Sequence, residues 1–275
     1  MTKIFTDQMG REVKISTPPK RIVSIVPSQT ELLFDLGLEE AVVGLTKFCI
    51  HPGEKWKDKT KVGGTKKLHI EKIASLKPNL ILGNKEENDR QQIEQLEKDF
   101  PVWMSNIYTL EDALEMITSV GEITAKNEKA AVLSEKIQQA FQQLKKKPAN
   151  TDLPSLSVAY LIWKNPYMAA ASGTFINSML HAMGLQNIFS QKTRYPETTL
   201  EELAALKPDV VLLSSEPFPF REKHLEEIKQ QCPAAVVKLV DGEMFSWYGS
   251  RLLQAAPYFA NLRLEITHAL EKISQ

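Results

Sequence analysis

Residues 69–82, HIEKIASLKPNLIL, return 130 positions later as TLEELAALKPDVVL, residues 199–212. In both copies a helical pattern ends at Leu-Lys-Pro, and an apolar run of strand length follows. A helix that leads into a buried strand is half of the repeating unit of a parallel α/β sheet. The recurrence predicts two similar α/β lobes in tandem. The alternative is that such units resemble one another by composition alone.

A second pair of segments supports the tandem arrangement. Residues 21–26, RIVSIV, read as a buried strand that ends at Pro27, and the helical pattern over residues 30–38 closes on Gly-Leu. The helical pattern over residues 174–185 closes on the same dipeptide. Strands that alternate with helices in this way favour parallel sheets.

Between the lobes, the sequence predicts one long helix over residues 111–147. This segment has no proline and a single glycine, Gly121, and its apolar side chains recur at steps of three and four residues. At 1.5 Å per residue the helix would be about 50 Å long and would join the lobes as a stiff strut. Residues 145–154, with three lysines and two prolines, are expected to turn into the second lobe.

The predicted fold class is therefore α/β, with two Rossmann-like lobes with parallel sheets joined by one long α-helix. The amino-terminal lobe covers residues 1–110, the connecting helix residues 111–147 and the carboxyl-terminal lobe residues 148–275. Clefts between such lobes, near the carboxyl ends of strands, commonly hold small ligands. We expect a ligand cleft between the lobes.

Composition excludes several classes of protein. The 275 residues carry 34 Lys and Arg against 34 Asp and Glu, and 43% of them are hydrophobic. This balance argues against nucleic-acid binding and against disorder. No apolar run approaches the roughly 18 residues that span a bilayer. Residues 1–10 lack the basic-then-apolar pattern of a secretory signal, so the residues alone leave the cytoplasm open as the compartment.

Each predicted lobe carries a short polar turn at the start of a helix. Ser28, Gln29 and Thr30 lie in the first, and Ser172-Gly173-Thr174 forms the second. A serine or threonine there would cap the helix and leave amide donors facing a ligand. Capping alone would also explain both turns.

Large aromatic side chains gather in the predicted loops. Exposed flat rings at a cleft favour stacking on a sizeable apolar or planar ligand. The alternative is that several of them cover the ends of the two cores. The aromatic candidates are Phe48, Trp163, Tyr167, Tyr195, Phe245, Trp247 and Tyr248.

Signals of catalysis and of metal binding are weak. The chain has no Gly-x-Ser-x-Gly elbow, no Walker phosphate loop and no His-Glu-x-x-His motif. Cys49 and His51 lie two residues apart, but even a catalytic zinc needs about three protein ligands. We expect no catalytic residue, no catalytic cofactor and no metal site, and we keep Cys49 and His51 as an alternative metal pair.

Six short motifs, taken in order, resemble one family over nearly the whole chain. They are DQMGREV (7–13), PKRIVS (19–24), PSQTE (27–31), LKPNL (76–80), GLQNIF (184–189) and WYGSR (247–251). The chain resembles the substrate-binding proteins of ABC importers whose lobes are joined by a long helix, the class III periplasmic binding proteins for cobalamin and iron siderophores. It is most similar to the cobalamin-binding branch.

The resemblance implies a periplasmic or extracytoplasmic receptor. Such a receptor clamps a bulky ligand between its lobes without a reaction and docks on a membrane permease. We expect a monomer with no nucleic-acid partner. The resemblance implies the following ligand-binding positions: Ser28, Gln29, Thr30, Phe48, Cys49, His51, Asn84, Trp163, Tyr167, Ser172, Gly173, Thr174, Tyr195, Phe245, Trp247, Tyr248 and Arg251. The permease-docking candidates are Glu86, Glu87, Glu216 and Glu222.

Two departures from the cobalamin pattern keep other ligands open. Asn84 stands where cobalamin receptors offer an aromatic side chain, and Cys49-Ile50-His51 stands where a carboxylate-containing loop is common. A ferric siderophore or haem is the alternative ligand. A siderophore would call for several arginines, and Arg194 and Arg251 are the plausible ones. A third alternative, of another class, is an intracellular metal-binding enzyme or metallochaperone that uses Cys49 and His51.

Overall fold

The computed structural model describes residues 1–54, 56–145 and 156–273. The chain divides into two compact units, as the sequence repeat predicts. Unit 1 comprises Met1–Ile107, Glu111–Lys136 and Trp247–Arg251, and unit 2 comprises Tyr108–Leu110, Ile137–Ser246 and Leu252–Gln275. The boundaries differ from the predicted ones at two places. The connecting segment is divided between the units, and the short segment Trp247–Arg251 belongs to unit 1.

Unit 1 is built on a parallel sheet. Its strands run in the order β5-β4-β3-β6-β7, and every neighbouring pair is parallel. A separate antiparallel hairpin, β1-β2, precedes this sheet. The elements of the first part of the chain are β1 (Thr2–Thr6), β2 (Glu12–Ser16), β3 (Ile22–Ser24), α1 (Pro27–Asp35), β4 (Val42–Leu45), β5 (Thr60–Lys61), α2 (Ile70–Ser75), β6 (Leu80–Asn84), α3 (Arg90–Leu96), β7 (Val102–Ser105), α4 (Leu110–Ile123) and α5 (Asn127–Lys145).

Unit 2 is built on a mixed sheet in the order β11-β9-β8-β12-β13, with β10 beside β8. Strands β10, β8, β12 and β13 are parallel, whereas β9 and β11 are antiparallel. The elements are β8 (Ser157–Trp163), β9 (Tyr167–Ala169), α6 (Phe175–Ala182), β10 (Gln186–Asn187), β11 (Glu197–Thr198), α7 (Leu200–Ala205), β12 (Val210–Ser214), α8 (Glu222–Gln231), β13 (Val236–Val240), α9 (Gly242–Ser246) and α10 (Leu252–Ile273).

The prediction of a purely parallel second sheet is therefore wrong at one edge. Only residues 164–166 separate β8 from β9. So short a connection can join antiparallel neighbours only, because a parallel neighbour needs a crossover of a dozen or more residues. The α/β fold class itself is confirmed.

The paired helix ends of the two units have matching backbone conformations. Gly37 after α1 and Gly184 after α6 both have φ of 77°. This left-handed conformation is one that glycine adopts without strain, and it ends a helix. Lys77 after α2 and Lys207 after α7 have φ of 47° and 48°. The sequence echo therefore reflects a repeated local structure and not composition alone.

The predicted single connecting helix is wrong, because it is interrupted after Ile123. Helix α4 ends there and α5 begins at Asn127, with Ala125 in the left-handed region at φ 56°. The amide of Lys126 donates to the carbonyl of Gly121 at 2.7 Å, which closes the end of α4. Apart from Lys145, the predicted turn over residues 145–154 lies outside the described residues, as do the last two residues of the predicted helix.

Each sheet lies between helices, and its central strands are buried throughout. All five residues of β6 and all five of β12 are buried, the pattern of a strand covered on both faces. Val23, Ile81 and Met104 belong to the core of unit 1, and Leu213 and Ile228 to that of unit 2. Among the described residues, no helix is long and apolar enough to cross a membrane.

Candidate functional site

At the carboxyl edge of the unit 1 sheet, the polar side chains bond to one another. The Gln29 amide donates to Ser105 Oγ at 2.6 Å and to the carbonyl of Gly83 at 3.2 Å. The Asn84 amide donates to the same Ser105 Oγ at 2.9 Å. Ser105 ends β7, and sequence reasoning missed it although a polar residue at the end of a buried strand is a visible signal. The structure thus brings Gln29 and Asn84 together through Ser105.

Asn84 also shapes the loop that follows β6. Its Oδ1 accepts hydrogen bonds from the amides of Glu86 at 2.8 Å and Glu87 at 3.1 Å. An asparagine side chain that bonds to backbone two and three residues ahead stabilises a turn. This local role accounts for an amide at the position where the resemblance leads one to expect an aromatic ring.

Ser28 and Thr30 do not cap α1, so that part of the prediction is wrong. The helix begins at Pro27, and the N-cap is Val26, which offers no side-chain hydrogen bond. Proline is favoured at the first helical position because its φ is already helical and it has no amide hydrogen to satisfy. Thr30 Oγ1 donates instead to the carbonyl of Val26 at 2.9 Å and contacts Ser24 Oγ at 2.8 Å.

Cys49 is buried between two hydroxyl groups. Its Sγ lies 3.1 Å from Thr30 Oγ1 and 3.3 Å from Thr46 Oγ1. Burial raises the pKa of the Cys49 thiol, against the smaller opposing effect of these hydroxyls. The thiolate is the form that binds metals, so this environment opposes metal binding by Cys49. Thr46 is a second residue that sequence reasoning missed.

The segment Trp247–Arg251, which we call the strap, is bound to unit 1 by side chains. Arg251 donates to both carboxylate oxygens of Glu31, at 2.7 and 3.0 Å, and both side chains are 6% exposed. Tyr248 Oη donates to Glu87 Oε1 at 2.7 Å. The strap belongs to unit 1, although the residues on either side of it in the sequence belong to unit 2. The predicted placement of Trp247, Tyr248 and Arg251 in the second lobe therefore differs from the structure.

Three predicted ligand residues meet at the strap. The rings of His51 and Trp247 are in edge contact with centroids 5.4 Å apart, and the Arg251 guanidinium lies 5.1 Å from the Trp247 ring. Burial raises the pKa of Glu31, while its hydrogen bonds with Arg251 act in the opposite direction. Arg251 is therefore engaged by Glu31 and Trp247 and does not resemble the open arginine expected for an anionic siderophore.

Phe48 presents an exposed ring just beyond the carboxyl end of β4. The side chain is 50% exposed, and the Lys47 ammonium lies 5.0 Å from its centroid. The ring packs on Gly64, where an added Cβ would lie 3.0 Å from the ring edge. Ile50 of the same loop is 46% exposed. Phe48 thus packs against Gly64 and is also open to solvent, as a stacking surface for a ligand would be.

Trp163 is the equivalent feature of unit 2, at the carboxyl end of β8. It is 40% exposed, and its ring is in edge contact with Phe218 at 5.8 Å. Beyond the next turn, Tyr167 Oη donates to Glu227 Oε1 at 2.8 Å, and Lys164 pairs with Glu227 Oε2. Burial raises the pKa of Tyr167, and Glu227 raises it further.

The second polar turn caps its helix as predicted. Thr174 Oγ1 accepts a hydrogen bond from the amide of Asn177 at 3.1 Å and is the N-cap of α6. Ser172 Oγ donates to the carbonyl of Lys192 at 2.5 Å, and Gly173 has φ of 70°. Tyr195 is half-buried with the Arg194 guanidinium 5.8 Å from its ring.

Phe245 lies in the interior of unit 2. It is fully buried, with ring centroids 4.8 Å from Tyr160 and 4.7 Å from Phe259. These contacts correspond to the alternative in which a predicted aromatic residue covers the core. Tyr160 Oη in turn donates to Ser214 Oγ at 3.1 Å.

The acidic docking candidates differ in their surroundings. Glu87 accepts from Tyr248, and Glu216 Oε1 accepts from Ser246 Oγ at 2.8 Å. Glu86 is half-buried, and Glu222 is exposed in the first turn of α8. Across the described residues, no three His, Cys, Asp or Glu side chains are placed to hold a metal ion.

Comparison with known proteins places this fold in a family. The model of a family described as periplasmic binding protein matches residues 22–238. The chain belongs to this family.

Three individual proteins illustrate the range of the similarity. The vitamin B12-binding protein of Pectobacterium carotovorum is 25% identical over 86% of each chain. A Bacillus subtilis protein named as the uncharacterized ABC transporter substrate-binding lipoprotein YvrC is 28% identical over 75% of this chain and 67% of its own length. The periplasmic heme-binding protein BhuT, solved with two hemes, superposes with a TM-score of 0.78 over 91% of this chain and 99% of its own, at 24% identity.

Proposed function

We propose that this chain is the substrate-binding component of an ABC importer and that it binds a corrinoid without catalysis. The supporting observation is the pair of exposed rings, Phe48 and Trp163. Phe48 lies just beyond the carboxyl end of β4 in unit 1, and Trp163 is the last residue of β8 in unit 2. Ligands of open α/β sheets bind at these strand ends. The similarity to a vitamin B12-binding protein over most of both chains supports the choice of ligand.

The charges near the candidate residues support a corrinoid over a ferric siderophore. Of the two arginines that a siderophore would use, Arg251 is paired with Glu31, and Arg194 lies against Tyr195. An anionic ligand would have to compete with Glu31 for the guanidinium. A corrinoid instead presents a broad ring system that aromatic side chains can cover.

Haem is the second candidate. His51 is a half-buried imidazole in the same loop as Phe48, and it lies against Trp247. Imidazole is a common iron ligand, and the structurally similar BhuT is named as heme-binding. The metallochaperone alternative is weaker, because burial raises the pKa of the Cys49 thiol.

The partner and compartment follow from the proposed role. We propose that the chain acts as a monomer outside the cytoplasmic membrane and delivers its ligand to a permease. The similarity to YvrC, which is named as an ABC transporter substrate-binding lipoprotein, supports this role. Among the docking candidates, Glu222 is exposed, whereas Glu87 and Glu216 already accept hydrogen bonds from Tyr248 and Ser246. Glu222 is the stronger docking candidate, because it is exposed in the first turn of α8.

The test is a calorimetric titration of the purified protein with cyanocobalamin. We expect micromolar or tighter binding, and an approximately tenfold weaker affinity in Phe48→Ala and in Trp163→Ala, which is about 1.4 kcal/mol each. Leu264→Ala removes an apolar side chain that is 55% exposed on α10 and is the matched control, with unchanged affinity.

Two outcomes would contradict the proposal. Absence of cyanocobalamin binding, together with a haem absorption band on addition of haemin, would replace the corrinoid by haem. Binding of cyanocobalamin with the same affinity in wild type, Phe48→Ala and Trp163→Ala would show that the exposed rings do not contact the ligand.

A further inference from the structure

Behind Trp163 stands a column of aromatic rings that ends on a histidine. Trp163 contacts Phe218 at 5.8 Å, and Phe218 contacts Phe220 at 4.8 Å. His224 lies against both phenylalanines, with centroid distances of 5.5 Å to each. Phe220 and His224 are buried, whereas Trp163 is open to solvent. The exposed ring is therefore supported through Phe218 by a buried imidazole.

Two backbone hydrogen bonds hold the main chain of Phe218 but do not set the orientation of its ring. Its amide donates to the carbonyl of Ile162 at 3.3 Å, next to Trp163, and its carbonyl accepts from the amide of Phe220 at 2.9 Å. Pro217 and Pro219 flank it and offer no amide donors. The orientation of the Phe218 ring thus depends on the side chains that pack against it, and His224 is one of these, together with Phe220.

His224 fits this place in its neutral form. Its Nδ1 accepts the hydrogen bond of the Arg221 amide at 2.9 Å, at the start of α8. A protonated imidazole carries hydrogens on both nitrogens and accepts no hydrogen bond. Protonation would therefore break this bond and leave the Arg221 amide without its acceptor.

The charges around His224 oppose protonation. Burial is the largest cause of its lowered pKa, and the cations of Lys164, Lys223 and Arg221 act in the same direction. Glu227 acts in the opposite direction, and its carboxylate is engaged by Lys164 and Tyr167. The neutral form is thus held at neutral pH, and the charged form becomes populated only when the pH falls to the lowered pKa of His224, which lies under the ordinary histidine value of 6.5.

We propose that His224 is a positioning residue for Trp163: its neutral ring holds Phe218, and through it Trp163, in the orientation that faces the ligand. Protonation at low pH releases this support and weakens ligand binding by unit 2. The positioning of the ring concerns the free protein. Its consequence for ligand affinity rests on the proposed function, in which Trp163 contacts a corrinoid.

The first test follows the ring without ligand. Protein labelled with 5-fluorotryptophan gives a resonance for Trp163 that Trp163→Phe identifies by its loss. We expect this resonance to shift as the pH falls from 7.5 to 5, while those of Trp56 and Trp103 in unit 1 do not follow it. His224→Asn removes the imidazole ring and does not titrate, so its Trp163 resonance should be displaced from the wild-type position at pH 7.5 and should not move as the pH falls.

The second test measures affinity for cyanocobalamin at pH 7.5 and 5.5. We expect the wild-type affinity to fall about threefold or more at the lower pH, which is half a pKa unit or more of coupling, and that of His224→Asn to stay level. The positioning role is overturned if the position of the Trp163 resonance does not change with pH. It is also overturned if that position changes with pH to the same extent in His224→Asn. A resonance that responds while the affinity does not supports the positioning role and overturns contact between Trp163 and the corrinoid.

Discussion

At the scale of single residues, the positions singled out in the sequence divide by what surrounds them. Phe48 and Trp163 keep exposed rings, whereas Gln29, Thr30 and Asn84 are buried and hydrogen-bonded inside unit 1. Buried polar groups need such partners, because an unpaired one costs about 1–3 kcal/mol. The first group is thus accessible to solvent, and the second holds together the carboxyl edge of the unit 1 sheet.

Cys49 provides a prediction at this scale. Its thiol is buried between Thr30 and Thr46, and burial raises its pKa, so little thiolate forms at pH 8 and little is accessible. In the native protein we expect Ellman's reagent to label Cys49 slowly, with the same initial rate in wild type and in Cys49→Ser. In urea, Ellman's reagent should react with two thiols per molecule of wild type and with one per molecule of Cys49→Ser. A fast native reaction that Cys49→Ser abolishes would contradict the buried placement.

At the scale of elements, helices α4 and α5 show how a close contact interrupts a continuous pattern. Gly121 packs against Ala130, and a Cβ built on Gly121 would lie 2.3 Å from the Ala130 Cβ. Both residues belong to unit 1. The absence of a side chain at residue 121 is what lets the first turn of α5 come back onto α4. The turn in between uses Ala125 in a left-handed conformation.

A side chain at Gly121 should therefore destabilise the α4–α5 turn. We expect Gly121→Val to lower the free energy of unfolding by about 1–3 kcal/mol, the usual range for overpacking, measured by urea denaturation. Glu122→Val is the matched control, because residue 122 is exposed on the same helix, and we expect a loss of about 0.5 kcal/mol or less from helix propensity. Equal losses in the two variants would refute close packing at residue 121.

At the scale of the whole molecule, the chain does not divide at a single point. The strap comes from a late part of the sequence and is part of unit 1, where Arg251 pairs with Glu31. Removing one partner of a buried ion pair is strongly destabilising, because the other charge stays buried without compensation. The stability of unit 1 should thus depend on a residue that lies 220 positions further along the chain.

Hydrogen exchange can show this dependence unit by unit. In Arg251→Met we expect faster exchange of the amides of α1, with about 3–5 kcal/mol less local stability, and unchanged protection of β12 in unit 2. Arg263→Met is the control: Arg263 contacts the carbonyls of Leu144 and Met183 within unit 2, so α1 should keep its protection. Loss of protection in β12 with Arg251→Met would contradict the assignment of the strap to unit 1.

Local chemistry made the α/β architecture readable from the printed residues. Gly37 and Gly184 end their helices through a backbone conformation that belongs to the residue itself. Phe48 and Trp163 were among the aromatic candidates, because both lie at or near the end of short apolar runs of strand length, but the sequence did not separate them from Phe245, which is buried. Such signals act over a few neighbouring residues, so one sequence suffices to detect them.

Contacts between distant residues required the folded chain. Residues 111–147 keep a helical apolar pattern through the break, because periodicity records which side faces the core and not where the backbone turns. The pairing of Glu31 with Arg251, the meeting of Gln29 with Ser105 and the support of Trp163 by His224 leave no mark on sequence spacing. Each depends on parts of the chain brought together by burial of the sheets, and burial is a property of the folded molecule as a whole.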